Sequence, residues 1–291
     1  MSKKRSGWIT RIMLSVGLLA FLGFSLFPLL SGVLEARQTS QTPTPSPTSA
    51  ANAVSEDDLS AQARGYELVL QREPDNETAL RGLIDVRRQQ GDIEGAIEPL
   101  ERLAELNPDE PRYTILLAQT KQYLGDLEGA AETYRNLLTR EPGSIQALQG
   151  LVDLLLQEGR PEAAVGVIEE TLQLAPQANQ DGADSIDVVS VQLLLGQVYA
   201  YQGRTEDALN VYENLIQEHS DDFRPLVGKA LLLEQSGKVD EAKATLNTAL
   251  SVAPPQHKDR IQILIDQLNE PAPEPAPEAS SEESSEPSEE E

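Results

Sequence analysis

The sequence predicts an all-α protein: an α-solenoid of five helix hairpins with flanking helices, preceded by one transmembrane helix. Three observations predict it. Gly91, Gly125 and Gly159 are 34 residues apart, as are Gly203 and Gly237, and one 44-residue interval separates the two sets. Five residues after each glycine stands an alanine (Ala96, Ala130, Ala164, Ala208, Ala242), and four residues further a large apolar side chain (Leu100, Tyr134, Ile168, Tyr212, Leu246). Charge is distributed unevenly over the 291 residues: net +4 in residues 1–37, −9 in residues 270–291 and −20 between them, within a total of −25.

Residues 1–11 are a basic flank containing Lys3, Lys4, Arg5 and Arg11. Residues 12–34 then run for 23 positions without a charge, roughly 35 Å of helix and enough to span a bilayer core. The rival reading is a cleaved secretory signal. That would have an apolar stretch of about 7–15 residues and a small-x-small cleavage site, whereas Ser31-Gly32-Val33-Leu34-Glu35-Ala36 offers no clean Ala-x-Ala. Four cations precede the span and only Arg37 follows closely, offset by Glu35. The positive-inside rule therefore places the N-terminus on the cytoplasmic side and the rest of the chain on a periplasmic, lumenal or otherwise extracytoplasmic side. Residues 35–55, rich in Pro, Ser and Thr, read as a linker.

Each repeat contains an apolar-periodic stretch of about 14 residues, the glycine, a second such stretch, and a stop at Pro108, Pro142, Pro176, Ser220 or Pro254. That is two antiparallel helices and two terminators. Glycine supplies the left-handed residue that ends the first helix. Alanine lets the paired backbones approach, and the bulky residue one turn later fills the space beside it. Pro161 falls in a first helical turn, where its missing N–H costs nothing. A single hairpin cannot bury its own apolar face, so stability must come from stacking on neighbours.

These columns resemble the tetratricopeptide-repeat family, whose 34-residue pattern runs Leu-Gly-x2-Tyr, then Ala-x3-Phe, then Pro. The fourth copy matches best, with Leu195-Gly196-Gln197-Val198-Tyr199, Ala208 and Tyr212, and with Ser220 in place of proline. The second copy has Leu117-Ala118, the third Leu151-Val152 with Leu155, and the fifth Lys229-Ala230 with Leu233; the first departs furthest, with Ile84 and Arg87. The resemblance implies a domain order of a leading helix in 56–76, repeats one to three in 77–176, an inter-repeat loop in 177–188, read as a tolerated surface loop or alternatively a partner-contacting one, repeats four and five in 189–254, and a capping helix in 255–269. Residues 270–291 contain only Pro, Ala, Glu and Ser, a composition that cannot bury enough surface to fold.

Composition also limits the chemistry. With no cysteine, disulfides, thiolate metal sites and thiol nucleophiles are excluded. A strongly acidic chain is repelled by phosphate backbones, so no nucleic-acid partner is expected. His219 and His257 are the two histidines; the first closes a second helix and the second belongs to the cap. No Gly-x-Ser-x-Gly, phosphate-binding Gly-rich loop or His-Glu-x-x-His is present. The sequence therefore reads as a non-enzyme without cofactor or metal.

The resemblance implies an inner, concave surface lined by first helices and used to hold peptides or partner helices. Its expected lining is Arg81, Asp85 and Arg88 in copy one; Arg112, Ile115, Gln119, Gln122 and Tyr123 in copy two; and Gln149, Asp153 and Leu156 in copy three. Leu193, Gln197, Tyr201, Arg224, Val227 and Leu231 follow from the later copies. Arg81, Arg87, Arg88 and Arg112 read as a local basic cluster suited to an acidic segment of a partner, with Tyr123, Ile115 and Leu193 as apolar contacts; the competing reading has these arginines solvated or paired with nearby glutamates. Asp85 stands where a carboxylate clamp would place an amide, so that clamp is not expected. The function expected is a membrane-anchored protein-interaction scaffold or assembly factor. Alternatives are a self-associating structural membrane protein, in which the chain forms a homo-oligomer, and a secreted or periplasmic repeat protein with a cleaved signal.

Overall fold

The computed structural model describes residues 55–180 and 185–269. The basic flank, the 12–34 span, the linker up to residue 54 and the acidic tail lie outside the described residues. Among the described residues there are twelve α-helices and no strand, and no helix is long and apolar enough to cross a membrane. The helices are α1 (Glu56–Leu70), α2 (Glu77–Gln90), α3 (Ile97–Leu106), α4 (Pro111–Tyr123), α5 (Leu127–Arg140) and α6 (Ile145–Gln157), followed by α7 (Pro161–Ala178), α8 (Val188–Tyr201), α9 (Thr205–Glu218), α10 (Phe223–Gln235), α11 (Val239–Val252) and α12 (Pro255–Asn269). Five hairpins, α2–α3 to α10–α11, stack in sequence between α1 and α12.

The periodic glycines do what their spacing implies. Gly91, Gly125, Gly159, Gly203 and Gly237 all have φ between 70° and 85°, a region costly for any residue with a Cβ. At each, the glycine N–H donates to the carbonyl three residues back and the next N–H to the carbonyl five before it, as in Gly91 to Arg88 (3.1 Å) and Asp92 to Arg87 (2.9 Å). This pair of bonds satisfies carbonyls that a helix end otherwise strands. The following helices begin with matching caps in copies one and two, where Asp92 accepts from Gly95 N–H and Asp126 from Gly129 N–H.

The alanine and bulky columns are buried in every copy. A third column emerges across the junctions between copies. Tyr66, Tyr134 and Tyr212 each fill the space where Gly82, Gly150 and Gly228 would carry a Cβ on the next first helix. At the two remaining junctions an aliphatic residue stands in the bulky column, Leu100 clustering with Leu117 of the next first helix and Ile168 sharing a core with Leu194. Tyrosine thus goes with glycine and an aliphatic residue with leucine, which keeps the summed volume nearly level, as close packing requires.

Two expectations need correction. Pro176 does not stop the third copy's second helix, because α7 continues to Ala178. A proline so near the end removes only one intrahelical bond. The excess between copies three and four is also more than a surface loop: Ile186 is buried in the central core. It is held by Asn179, whose side chain accepts from the Ile186 N–H and donates to the Ile186 carbonyl, both at 3.0 Å. The Ser185 carbonyl lies against Gly143, where no Cβ would fit. Residues 181–184 of this segment lie outside the described residues. In copy one, a 3₁₀ turn at Glu94–Ala96 precedes α3. It leaves Pro99 as the third residue of α3, where a missing N–H breaks no helical bond.

The junction column gives a stability test. Tyr134→Ala should cost about 3–5 kcal/mol, and Gly150→Leu about 1–3 kcal/mol by overpacking. Tyr134→Leu combined with Gly150→Leu should melt closer to wild type than the Tyr134→Leu and Gly150→Leu single changes added together, with a coupling of about 0.5–3 kcal/mol in thermal or urea denaturation followed by circular dichroism. Strict additivity would show that the two positions do not share a space.

Candidate functional site

From copy two to copy five, successive first helices touch one another, α4 with α6, α6 with α8, and α8 with α10. Second helices reach the next copy chiefly through its first helix. First helices therefore form the tighter, inner layer of the stack, and their free sides make one continuous face.

At the N-terminal end of this face, Arg81 Nε donates to the Tyr113 hydroxyl at 2.9 Å, and the guanidinium groups of Arg81 and Arg112 lie 5.8 and 4.9 Å from the Tyr113 ring centre. Arg81 also bonds Glu77 on its own helix, and Arg112 Nε lies 3.1 Å from Glu110. Arg88 makes only a loose pair with Asp85, 3.8 Å apart and well exposed. The four-arginine cluster does not assemble. Arg87 turns to the other side of α2, pairing with Glu67 of α1 and with Asp92, and so ties the leading helix to the first repeat. The cause is helical phase: Arg87 and Arg88 are about 100° apart on one helix.

In copy two, Gln119 is exposed, Ile115 is half-buried against the central core, and Tyr123 is 78% exposed. Gln122 Nε2 donates to Gln157 Oε1 at 3.0 Å, linking copies two and three along the rim. Gln149 is half-buried and Leu156 is buried. Tyr201 is partly exposed, its hydroxyl 3.4 Å from the Leu156 carbonyl. Arg224 bridges copies four and five through the Ser190 hydroxyl (2.8 Å) and Asp222 (2.6 Å).

Leu193 and Gln197 do not line the face. Both are buried, at 7% and 8% exposure, because α8 is enclosed by α6, α7, α9 and α10. Leu193 packs with Ala208, Tyr212, Leu215 and Leu232. Val227 is likewise buried, and Leu231 is half-buried against the C-terminal core. Tyr113 and Gln157 join the site without having been singled out in the sequence. Gln157 shares the column of Tyr123 and Tyr201, two residues before the hairpin glycine, which could have nominated it; Tyr113 was revealed by the packing.

Asp153 sits on α6, in the middle copy. Its Oδ1 is closed off from solvent and accepts no hydrogen bond, and among the described residues no cation pairs with it. Burial pushes its carboxyl up to about 6. Tyr134, nearby on α5, is pushed up to about 12 by burial and then by the charge of Asp153. Among the described residues no cluster of three or more His, Asp or Glu could hold a metal ion.

A family model described as Tetratricopeptide repeat matches residues 72–253, the stretch in which the glycine, alanine and bulky columns recur. The chain belongs to the tetratricopeptide-repeat family. Cellulose synthase operon protein C of Xanthomonas axonopodis pv. citri (strain 306) is 26% identical over 186 residues, covering 53% of this chain and 12% of that protein. Protein SLOW GREEN 1, chloroplastic, of Arabidopsis thaliana is 30% identical over 175 residues, covering 60% of this chain and 54% of that protein. The chain thus spans a small part of the first relative and about half of the second. Among solved structures, a thermophilic tetratricopeptide-repeat protein of Thermus thermophilus is 22% identical with a TM-score of 0.45, covering 66% of this chain and 98% of that one. Another from Parabacteroides merdae ATCC 43184 is 18% identical with a TM-score of 0.47, covering 74% and 87%. Identities this low concern the fold alone. Tetratricopeptide repeats are in general non-enzymatic scaffolds suited to protein–protein interaction, and the inner face described above is the surface such a scaffold offers.

The unpaired carboxyl has a measurable consequence for stability. In the fold Asp153 titrates near 6, against an ordinary 3.8, so between about pH 4 and 6 the folded chain holds a proton that the unfolded chain has released. Stability must then fall as pH rises through that window, by up to about 3 kcal/mol. Asp153→Asn has no such proton to lose. It should match wild type near pH 4 and exceed it above pH 6, in urea unfolding at a series of pH values; a difference that does not change with pH would show that Asp153 is ordinarily solvated.

Proposed function

We propose that the chain is a single-pass membrane-anchored scaffold, an assembly factor that holds a partner polypeptide along the inner face of its repeats on the extracytoplasmic side. The observation that carries this reading is the side-chain inventory of that face. Tyr123 stands 78% exposed on a first helix beside the exposed Gln119, where neither adds to the core. A large exposed tyrosine among amide side chains is the kind of residue that gains most from burial under a partner. Gln149, Tyr201 and Leu231 extend the face toward the C-terminal copies. At the N-terminal end, Arg81, Arg88 and Arg112 keep unused guanidinium N–H groups with which to meet a carboxylate on an acidic segment of the partner.

The membrane part of the proposal rests on residues 12–34, uncharged throughout, and on the basic residues before them. A tether of the composition of residues 35–55 would leave the repeats free to search near the lipid surface.

A photo-crosslinking amino acid placed at Tyr123 in the full-length chain in native membranes should yield a defined adduct, and one at the exposed Glu170 of second helix α7 should not. Equal labelling from both sites would overturn the groove reading, and release of the chain by alkaline carbonate would overturn the anchor. Replacing Arg81, Arg88 and Arg112 together with alanine should weaken capture of the adducted partner roughly tenfold, from three exposed charge contacts of about 0.5 kcal/mol each. Unchanged capture would remove the arginines from the contact.

A further inference from the structure

Two side-chain atoms among the described residues are buried without a hydrogen-bond partner, Arg87 Nε and Asp153 Oδ1. The first belongs to a guanidinium already held by Glu67 and Asp92, so its charge is balanced. The second has no such balance. No Lys, Arg or His among the described residues lies within 4 Å of the Asp153 carboxylate, whereas Asp85, Glu77 and Glu110 of copies one and two, and Asp187 and Asp222 near copies four and five, all have an arginine partner.

We propose that Asp153 receives a lysine or arginine side chain of the polypeptide held on the inner face. The proposal rests on the groove reading above and names the chemistry that would recognise the partner at its centre. Removing a carboxylate from water without a donor or counter-charge is costly, and a native structure that keeps one calls for an explanation. Oδ1 is sealed, but the side chain as a whole is half-buried, so an incoming cation meets Asp153 on its open side and supplies the missing counter-charge.

The surroundings fit a single cationic contact. Gln119, one repeat earlier in the same register, and Gln149, one turn earlier on α6, are neutral amides. The amides can hydrogen-bond the main chain on either side of it, since each carries both donor and acceptor atoms. One charge flanked by neutral groups also fixes the register of an extended segment, because shifting the segment leaves both charges unpaired.

The experiment is selection of a random dodecapeptide library on the full-length chain in detergent at pH 7.5, in parallel with Asp153→Asn. Wild type should enrich peptides with Lys or Arg at one fixed position. The leading peptide should bind Asp153→Asn at least tenfold more weakly. Replacing its cationic residue with norleucine should weaken binding to wild type to a similar degree, with no further loss when both changes are combined. Peptides selected equally by both chains, or combined losses that simply add, would overturn the proposal while leaving the groove reading intact. Failure of both chains to select any peptide would overturn the groove reading and this proposal with it. Asp153→Asn keeps the side-chain shape and removes the unpaired charge, so it tests the contact in a folded chain, and an unchanged circular dichroism spectrum checks that.

Discussion

Wherever two helices of this stack cross, the volumes of the facing side chains must be matched. Within each hairpin the alanine column makes room and the bulky column fills it; between hairpins tyrosine fills the space left by glycine at three junctions, and two aliphatic residues share it at the others. Because interiors pack at crystal-like density, a volume change on one side is felt on the other. Tyr212 shows the constraint most clearly, since it abuts both Gly196 of its own repeat and Gly228 of the next. Burial also raises its phenol pKa well above the ordinary value. The stack is therefore a chain of coupled junctions, and the inner face stays smooth only while every junction holds its spacing.

The columns were legible in the sequence because they repeat. Glycine at a left-handed position, alanine at a close crossing and the bulky residue one turn later are each demanded by backbone geometry, so five copies display them together. Features that occur once were not legible. Ile186 lies in a polar stretch whose composition reads as loop, and only the paired hydrogen bonds from Asn179 reveal that it enters the core. Pro176 follows the terminator column but lies inside α7, because the ten extra residues of the long interval leave the helix room to continue. The 3₁₀ turn before α3 has a sequence cause in Pro99, but one that becomes plain only when the helix start is known.

The candidate surface was legible to a lesser degree, and for a physical reason. Periodicity tells which side of a helix faces the repeat's own core, but not how deeply a neighbour covers the other side. Leu193 and Gln197 stand one turn apart in the same rows as Ile115 and Gln119, yet the first pair is buried and the second is not. The difference arises at α8, which is enclosed from both directions, whereas α4 near the N-terminal end leaves Gln119 and Tyr123 uncovered. Row position is set by the chain's own sequence; depth is set by how many neighbouring helices enclose the position.

Charge on this surface separates into two kinds. Arg81, Arg88 and Arg112 are each matched by a carboxylate on the same or the preceding turn, so their charge is locally balanced although they remain rich in donors. They can recognise a carboxylate by forked hydrogen bonding but exert little pull at a distance. The middle copy does the reverse: Asp153 is unmatched and partly withdrawn from water, inside a chain whose net charge is −25. A field of that sign draws cationic segments toward the protein and speeds encounter. Exposed carboxylates contribute to that approach but hold little, since water and salt screen them. A half-buried carboxylate is screened less than an exposed one, so at Asp153 a cation drawn in by the wider field would meet a stronger local attraction than elsewhere on the surface.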